Sequence, residues 1–185
     1  DNTLQYPFQT SWGSSTRLIG AVIMTHSDNH GLVLPPVIAP TQVVVIPIAQ
    51  HKPGVLDAAA ALKDRLTAAG LRVAMDDSEQ SAGWKFAQYE MKGVPLRVEI
   101  GPKDMEKEQC CVARRDTGEK TFVPLAGLED AIKGLLQDVH DNLYNMAAKN
   151  LEENTFDMTD WQEVKAMADG KGGLARTKWC GSLEC

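Results

Sequence analysis

The stretch Gln42-Val43-Val44-Val45-Ile46-Pro47-Ile48 decides the fold class, because after Gln42 it is a continuous run of apolar, mostly β-branched residues. Such a run is typical of a buried strand in a parallel sheet, where both faces are covered. An Ala- and Leu-rich helical pattern follows at 55–69 and ends at Gly70, a common helix C-cap. A short second strand, 71–75, comes next, so the sequence predicts a right-handed β-α-β crossover.

The elements beyond this crossover predict a mixed sheet. In chain order they are a helix at 82–92, an alternating strand at 94–100, a turn at 101–104, strands at 109–115 and 120–123 joined by a hairpin at 116–118, and a long amphipathic helix from Leu125 to Met146. The order β-α-β-α-β-β-β-α predicts an α/β fold, a mixed five-stranded sheet flanked by three helices.

Prolines and composition divide the chain into three parts. Residues 31–40 contain three prolines, which predicts an extended connection between an initial unit, 1–40, and the sheet domain, 41–144. The last residues, 145–185, are acidic and contain a glycine-rich run. We expect them to form part of a third unit.

The distribution of charge leaves two interpretations open. The net charge of −6 argues against nucleic-acid binding through bulk positive charge. Residues 121–170 hold ten acidic and three basic side chains, whereas 85–120 hold seven acidic and eight basic ones. The balanced stretch is either a solvated surface of mixed charges or a polar face that reads base edges with both signs.

Several classes of protein are excluded by what the sequence lacks. No run of about eighteen apolar residues predicts a membrane span, and no signal peptide is visible at the start. A chain that begins without Met is expected to be a fragment or a processed product. Four cysteines in 185 residues suit a reducing cytoplasm. No Walker loop, dinucleotide fingerprint or nucleophile arrangement occurs.

The cysteines and histidines give only weak signals for a metal. Cys180 and Cys185 are separated by four residues and could reach one metal, but a tetrahedral zinc needs four ligands. They are either incidental or half of a structural zinc site. His26 and His30 could share a metal on a helix, but no third ligand is evident. Adjacent cysteines at 110 and 111 should point to opposite faces of a strand.

The stretch Trp12-Gly13-Ser14-Ser15-Thr16-Arg17 precedes a helical pattern that extends to His26. Residues 9–13 are predicted to form the end of a strand and a tight turn, so this stretch places a glycine, hydroxyl groups and an arginine at a strand-to-helix junction. Backbone N–H groups and the helix dipole favour phosphate there, and an arginine engages phosphate oxygens bidentately. The alternative is a capped helix with an exposed arginine.

Longer stretches resemble the class II prolyl-tRNA synthetase family, in its eukaryote/archaeal-like type. Residues 9–20 and 26–36 resemble the third class II motif of that family. Residues 90–104 and 114–120 are similar to its anticodon-binding domain, and 179–185 to the first half of its C-terminal zinc-binding domain.

The resemblance implies a function and a set of site residues. The family activates proline with ATP and Mg²⁺ and transfers it to tRNA(Pro), as a homodimer. The implied ATP-binding residues are Ser15 and Arg17; those of the anticodon site are Glu90, Arg97, Lys103 and Asp104; and those for Zn²⁺ are Cys180 and Cys185.

The sequence also departs from the family pattern. The earlier class II motifs and the last two zinc cysteines are absent, and Ser27 stands where the family commonly has glycine. We therefore expect these residues alone to be unable to aminoacylate tRNA. A non-catalytic tRNA-binding module or paralogue is the alternative. A threonyl, glycyl or histidyl synthetase is disfavoured by Trp12 and the terminal cysteines.

Overall fold

The computed structural model describes residues 2–179 and 181. Six helices and seven strands occur in this part of the chain. Their order is α1 (Arg17–His26), β1 (Val43–Pro47), α2 (Val55–Ala68), β2 (Val73–Met75), α3 (Ala82–Met91), β3 (Leu96–Ile100), α4 (Pro102–Glu106), β4 (Gln109–Arg114), β5 (Lys120–Pro124), α5 (Leu128–Glu153), β6 (Thr155–Asp157), α6 (Trp161–Asp169) and β7 (Leu174–Arg176).

The central sheet has the strand order β2-β1-β3-β4-β5. β1 is parallel to both of its neighbours, with Val45 opposite Met75 on one side and Val98 on the other. β4 is antiparallel to β3 and to β5. The predicted mixed five-stranded sheet, with parallel first strands and a terminal hairpin, is therefore confirmed.

The two faces of the sheet are covered unequally. On one face, side chains such as Val43 and Val45 pack under α2 and α5 in the main core. On the other face, Val44 and Ile46 pack against α3. Because both faces of β1 are covered, all five of its residues are buried, as the apolar run predicts.

Helix α3 covers only part of its face and leaves the β5 side open. Arg97 and Glu99 lie on β3. Across the intervening strand β4, the register places Arg97 level with Lys120 on β5, and Glu99 level with Phe122 on β5. We call these four residues the open face. Phe122 is 65% exposed there. This region is where the fold leaves polar and aromatic groups accessible.

Three local predictions differ from the structure. The predicted turn at 101–104 is the start of a short helix, α4, because Pro102 begins it and Asp104 accepts a hydrogen bond from the N–H of Gly101 at 3.0 Å. The last long helix runs to Glu153, so the predicted boundary at 144/145 falls inside it. No strand forms at 9–13, where no neighbouring strand among the described residues supplies backbone partners.

The proline-rich connection is extended at 32–35 and turns at 36–38, and it is held firmly on the sheet domain. Arg72 donates from Nε to the carbonyl of Ala39 and from a terminal nitrogen to that of Pro36, both at 2.8 Å. Gln42 also donates to the carbonyl of Pro36. These bonds satisfy carbonyl groups that proline-containing backbone leaves without ladder partners. The connection is thus part of the domain surface.

The end of the described chain forms a smaller unit. β6 and β7 pair as a two-stranded parallel sheet, with α6 between them in sequence. Asp160 caps α6 by accepting a hydrogen bond from the N–H of Gln162. Among the described residues, no helix combines the length and apolar character needed to cross a bilayer.

Candidate nucleic-acid interface

A cleft of about 270 Å³ opens between the end of α3 and the open face of the sheet. It brings together two of the predicted anticodon residues, Glu90 from α3 and Arg97 from β3. Its lining residues are Phe86, Tyr89, Glu90, Val94, Arg97, Ala113, Arg114, Arg115, Gly118 and Lys120. An aromatic ring, a carboxylate and several cations thus converge in one concave site.

Arg97 is held in a fixed orientation. Its guanidinium carbon lies 4.1 Å from the centroid of the Phe86 ring, which is a cation–π stacking distance. Its Nε donates to Oε1 of Glu99 at 2.9 Å. Within the described residues its hydrogen bonds involve Nε alone, so the terminal nitrogens can donate to a ligand. The side chain is only 15% exposed.

Lys120 joins the same arrangement from the neighbouring hairpin. Its Nζ lies 3.0 Å from Oε1 of Glu99 and 5.1 Å from the centroid of the Phe86 ring. Glu99 therefore lies between the cations of Arg97 and Lys120, so the three side chains together carry a net charge of +1. Sequence reasoning missed Phe86, Glu99 and Lys120. The alternation of β3 indicated that Glu99 and Arg97 share a face, but only the register of β5 brings Lys120 beside them.

Glu90 reaches the cleft from the last turn of α3. That helix begins at Ala82, after Ser81, whose hydroxyl accepts a hydrogen bond from the N–H of Trp84. The side chain of Glu90 is half-buried, and its backbone carbonyl accepts a hydrogen bond from Nε of Arg115 at 2.8 Å. Its position is therefore set partly by β4, whose end precedes Arg115.

Lys103 and Asp104 lie elsewhere, on α4 at the carboxyl end of β3. Neither lines the cleft that holds Glu90 and Arg97. Lys103 is exposed, whereas Asp104 is half-buried and uses Oδ2 to cap α4. The four predicted anticodon residues thus form two separate pairs, one at each end of β3.

The predicted ATP-binding residues lie at the start of α1 and are both exposed. Thr16 occupies the N-cap position, and its side chain makes no capping bond. The hydroxyl of Ser15 instead accepts a hydrogen bond from the N–H of Arg17 at 3.3 Å. The guanidinium of Arg17 remains accessible, as both sequence interpretations require.

The predicted zinc ligands, Cys180 and Cys185, lie outside the described residues. In the part of the chain that is described, no three His, Cys, Asp or Glu side chains cluster around a possible metal position. The other two cysteines are free thiols on opposite faces of β4, as predicted: Cys110 lies in the main core, and Cys111 pairs with Phe122. Burial raises the pKa of the Cys110 thiol to about 12, so it is not nucleophilic at neutral pH.

Comparison with known protein sequences matches this chain to one family. The profile of the anticodon binding domain covers residues 42–135, which include all five strands of the central sheet. Among curated relatives, a proline–tRNA ligase 2 of Bacillus cereus is 53% identical over 181 residues, 98% of this chain. The corresponding protein of Bacillus anthracis is 51% identical over the same length. A proline–tRNA ligase of Oceanobacillus iheyensis is 52% identical over all 185 residues.

The relatives are much longer than this chain. The matched region spans 35% of the Bacillus anthracis protein and 38% of the other two. The resemblance to prolyl-tRNA synthetases that the sequence motifs indicate is thereby confirmed. The similarity extends beyond the profile into residues 1–41 and 136–185, which include the predicted ATP and zinc residues.

Proposed function

The chain belongs to the family of anticodon binding domains, and on that premise we propose that it recognises the anticodon of tRNA(Pro) as part of a proline–tRNA ligase. The observation that carries this proposal is the cleft in which Arg97 is stacked on Phe86 beside the carboxylate of Glu90. Single-stranded loops are read by this combination of stacking and hydrogen bonds to exposed base edges.

The two charged groups complement the edges of guanine. An arginine with free terminal nitrogens can donate to the O6 and N7 acceptors of guanine. A carboxylate can accept from ring N–H and exocyclic amino groups, which the Watson–Crick edge of guanine carries. The UGG anticodon contains two guanines, and Glu90 with Arg97 is suited to one of them.

Lys103 and Asp104 form a second pair of the same kind. Oδ2 of Asp104 is used by the N–H of Gly101, which fixes the carboxyl group and leaves Oδ1 to accept from a base. The exposed Lys103 can contact a base acceptor or a phosphate. Two pairs at opposite ends of β3 suit two bases of one loop better than a single ligand.

The charge of the cleft fits recognition by base edges rather than by phosphate. Its cations are largely paired, since Arg97 and Lys120 contact Glu99, and Arg114 donates to Asp116 at 2.7 Å. Paired cations release few counterions when a nucleic acid binds. This agrees with a chain whose net charge is −6.

The activity of the whole protein extends the same proposal. Arg17 holds the phosphates of ATP, with Ser15 beside it, and the longer protein supplies the proline site, the Mg²⁺ site and the dimer contacts. The exposure of both side chains at the start of α1 supports a site completed by other parts of the protein. Cys180 and Cys185 are two of four ligands to a structural Zn²⁺, an assignment that rests on the resemblance alone.

Anticodon recognition is tested by titrating the chain into a fluorescent anticodon stem-loop with the UGG sequence. Replacing either guanine by adenine should weaken binding by about 5- to 150-fold, the range that a bidentate base contact supplies. Equal affinity for all loops would contradict the proposal.

Catalysis needs a separate test, because a non-catalytic tRNA-binding module would pass the first one. The 185 residues alone should show no proline-dependent exchange of pyrophosphate into ATP, since most of the length of the relatives is not included. Adding the remaining part of the protein in one polypeptide should restore exchange, and Arg17→Ala should abolish it. Exchange that survives Arg17→Ala would remove Arg17 from the ATP site.

A further inference from the structure

Arg115 connects the cleft to a segment that is distant in sequence. It follows the end of β4, lines the cleft, and has a side chain only 5% exposed. Its two terminal nitrogens donate to the two carboxylate oxygens of Asp28, each at 2.7 Å. Its Nε donates to the backbone carbonyl of Glu90 at 2.8 Å. One guanidinium therefore joins the loop after α1 to the base-reading end of α3.

The chain after Asp28 also binds the end of α3 through its backbone. The N–H of Leu32 donates to the carbonyl of Met91 at 3.0 Å, and that of Leu34 to the carbonyl of Gly93 at 3.2 Å. These bonds satisfy carbonyl groups that a helix end leaves without partners. The contact is so close that a Cβ on Gly31 would lie 2.6 Å from the Cα of Met91.

A helix end that carries a recognition residue is a weak point, because terminal turns fray. Here the last turn of α3 is held by the side chain of Arg115 and by the backbone of residues 32–34. The ion pair between Asp28 and Arg115 is bidentate and charge-assisted, which makes it directional as well as strong. Asp28 does not itself line the cleft, so it can influence a bound base only through Arg115 and the segment it anchors.

We propose that the ion pair between Asp28 and Arg115 is a positioning device for Glu90, and that residues 28–34 therefore belong to the machinery of anticodon recognition. This inference rests on the proposed function, since it assigns Asp28 a part in the discrimination of a base that Glu90 contacts. It also places a specificity determinant outside the range matched by the anticodon binding domain profile, 42–135.

The decisive variant is Asp28→Asn. The asparagine oxygen can still accept the hydrogen bond that the N–H of His30 donates to Asp28 at 2.8 Å, so the local turn is preserved. Its amide NH₂ would face a terminal nitrogen of Arg115. Because both groups are donors, no hydrogen bond forms there and the bidentate pair is lost. Asp28→Glu retains a carboxylate and serves as the conservative variant. Glu129→Gln is the matched control, because Glu129 forms a bidentate pair with Arg65 away from the cleft.

Two measurements are made on each variant: hydrogen exchange of peptides covering 82–94, and affinity for UGG loops and for loops with one guanine replaced. Asp28→Asn should accelerate exchange and reduce discrimination at one guanine by about fivefold or more, the lower end of one bidentate contact. Asp28→Glu should recover most of the discrimination, and Glu129→Gln should change neither quantity. Asp28→Asn could fail to fold, which a loss of its helical circular dichroism would show. In that case Arg115→Lys takes its place in the same test, because lysine keeps the positive charge but cannot form the bidentate pair of a guanidinium.

The outcomes separate this inference from the proposed function. Unchanged exchange and unchanged discrimination in Asp28→Asn would overturn the positioning role while recognition of the loop stands. Faster exchange with unchanged discrimination would also overturn it, since the pair would then only stabilise the fold. A wild-type chain that binds all loops equally would overturn the proposed function before any variant is measured. The recognition role of Asp28 would then be overturned as well.

Discussion

The guanidinium of Arg97 stacks on the ring of Phe86 at 4.1 Å, so that a strand residue and a helix residue form one rigid group. Such a contact is worth about 0.5–1 kcal/mol when exposed and about 2 kcal/mol when desolvated. Because the arginine is already ordered, the proposed contact with a base would cost little side-chain freedom. The packing of α3 on the sheet thus fixes the arginine before any ligand binds.

Removing Arg97 should therefore weaken recognition. Arg97→Ala is expected to reduce affinity for the UGG stem-loop by about 1–3 kcal/mol and to relax discrimination at one guanine. Fluorescence anisotropy measures both effects. Arg176→Ala is the matched control, because Arg176 pairs with Asp157 at 3.3 Å and is well exposed outside the cleft. Equal effects of the two variants would argue against a base contact by Arg97.

The salt dependence of binding should be shallow. Carboxylates already pair most cations of the cleft, so we expect the slope of log K against log[salt] to be no steeper than about −2, or roughly three phosphate contacts on a single strand. Lys103 is exposed, and Lys103→Ala should reduce the slope by about one if it contacts a phosphate. A much steeper slope in the wild type would show that phosphate attraction dominates.

Two glycines should respond in opposite ways to alanine. Gly31 has φ +132° and no room for a Cβ against the backbone of Met91, so Gly31→Ala should destabilise the fold by about 1–3 kcal/mol. Gly134 lies within α5 with no atom near its Cβ position, so Gly134→Ala should stabilise the fold by about 0.5–1 kcal/mol. Urea denaturation measures both changes. A neutral Gly31→Ala would refute the close approach.

The ion pair of Asp28 should make stability depend on pH. Hydrogen bonds from Arg115, against a smaller opposing effect of burial, hold the pKa of the Asp28 carboxyl well below its usual range. A lowered pKa in the folded state means that the unfolded state takes up the proton first as pH falls. The contribution of Asp28 is thus fully present above about pH 5 and is lost progressively below about pH 4.

The measurement for this prediction is a series of urea denaturations between about pH 7 and pH 3. Wild type and Asp28→Asn should differ in free energy of unfolding at neutral pH, and the difference should begin to narrow below about pH 4, because the unfolded chain then takes up a proton that the folded carboxylate does not bind. A difference that stays constant across the series would mean that Asp28 contributes through shape rather than charge.

Much of the architecture was predictable, because burial imposes a local periodicity on the sequence. The apolar run at 42–48 contains the fully buried strand β1, and the alternation at 94–100 contains β3, with Arg97 half-buried toward the open face. Helix α4 was missed because a side-chain cap by Asp104, rather than a periodic pattern, converts the predicted turn into a helix. The family resemblance of the motifs likewise required only the linear sequence.

The composition of the cleft depended on tertiary structure. Arg115 and Asp28 are 87 positions apart, and Lys120 and Glu99 are 21 apart, so no local pattern relates them. Their contacts follow from the register of β5 on β4 and from the docking of residues 28–34 on α3. A slip of one residue in that register would move Lys120 to the other face of the sheet. Local periodicity thus determined which elements form, whereas the packing of distant elements decided which charges meet.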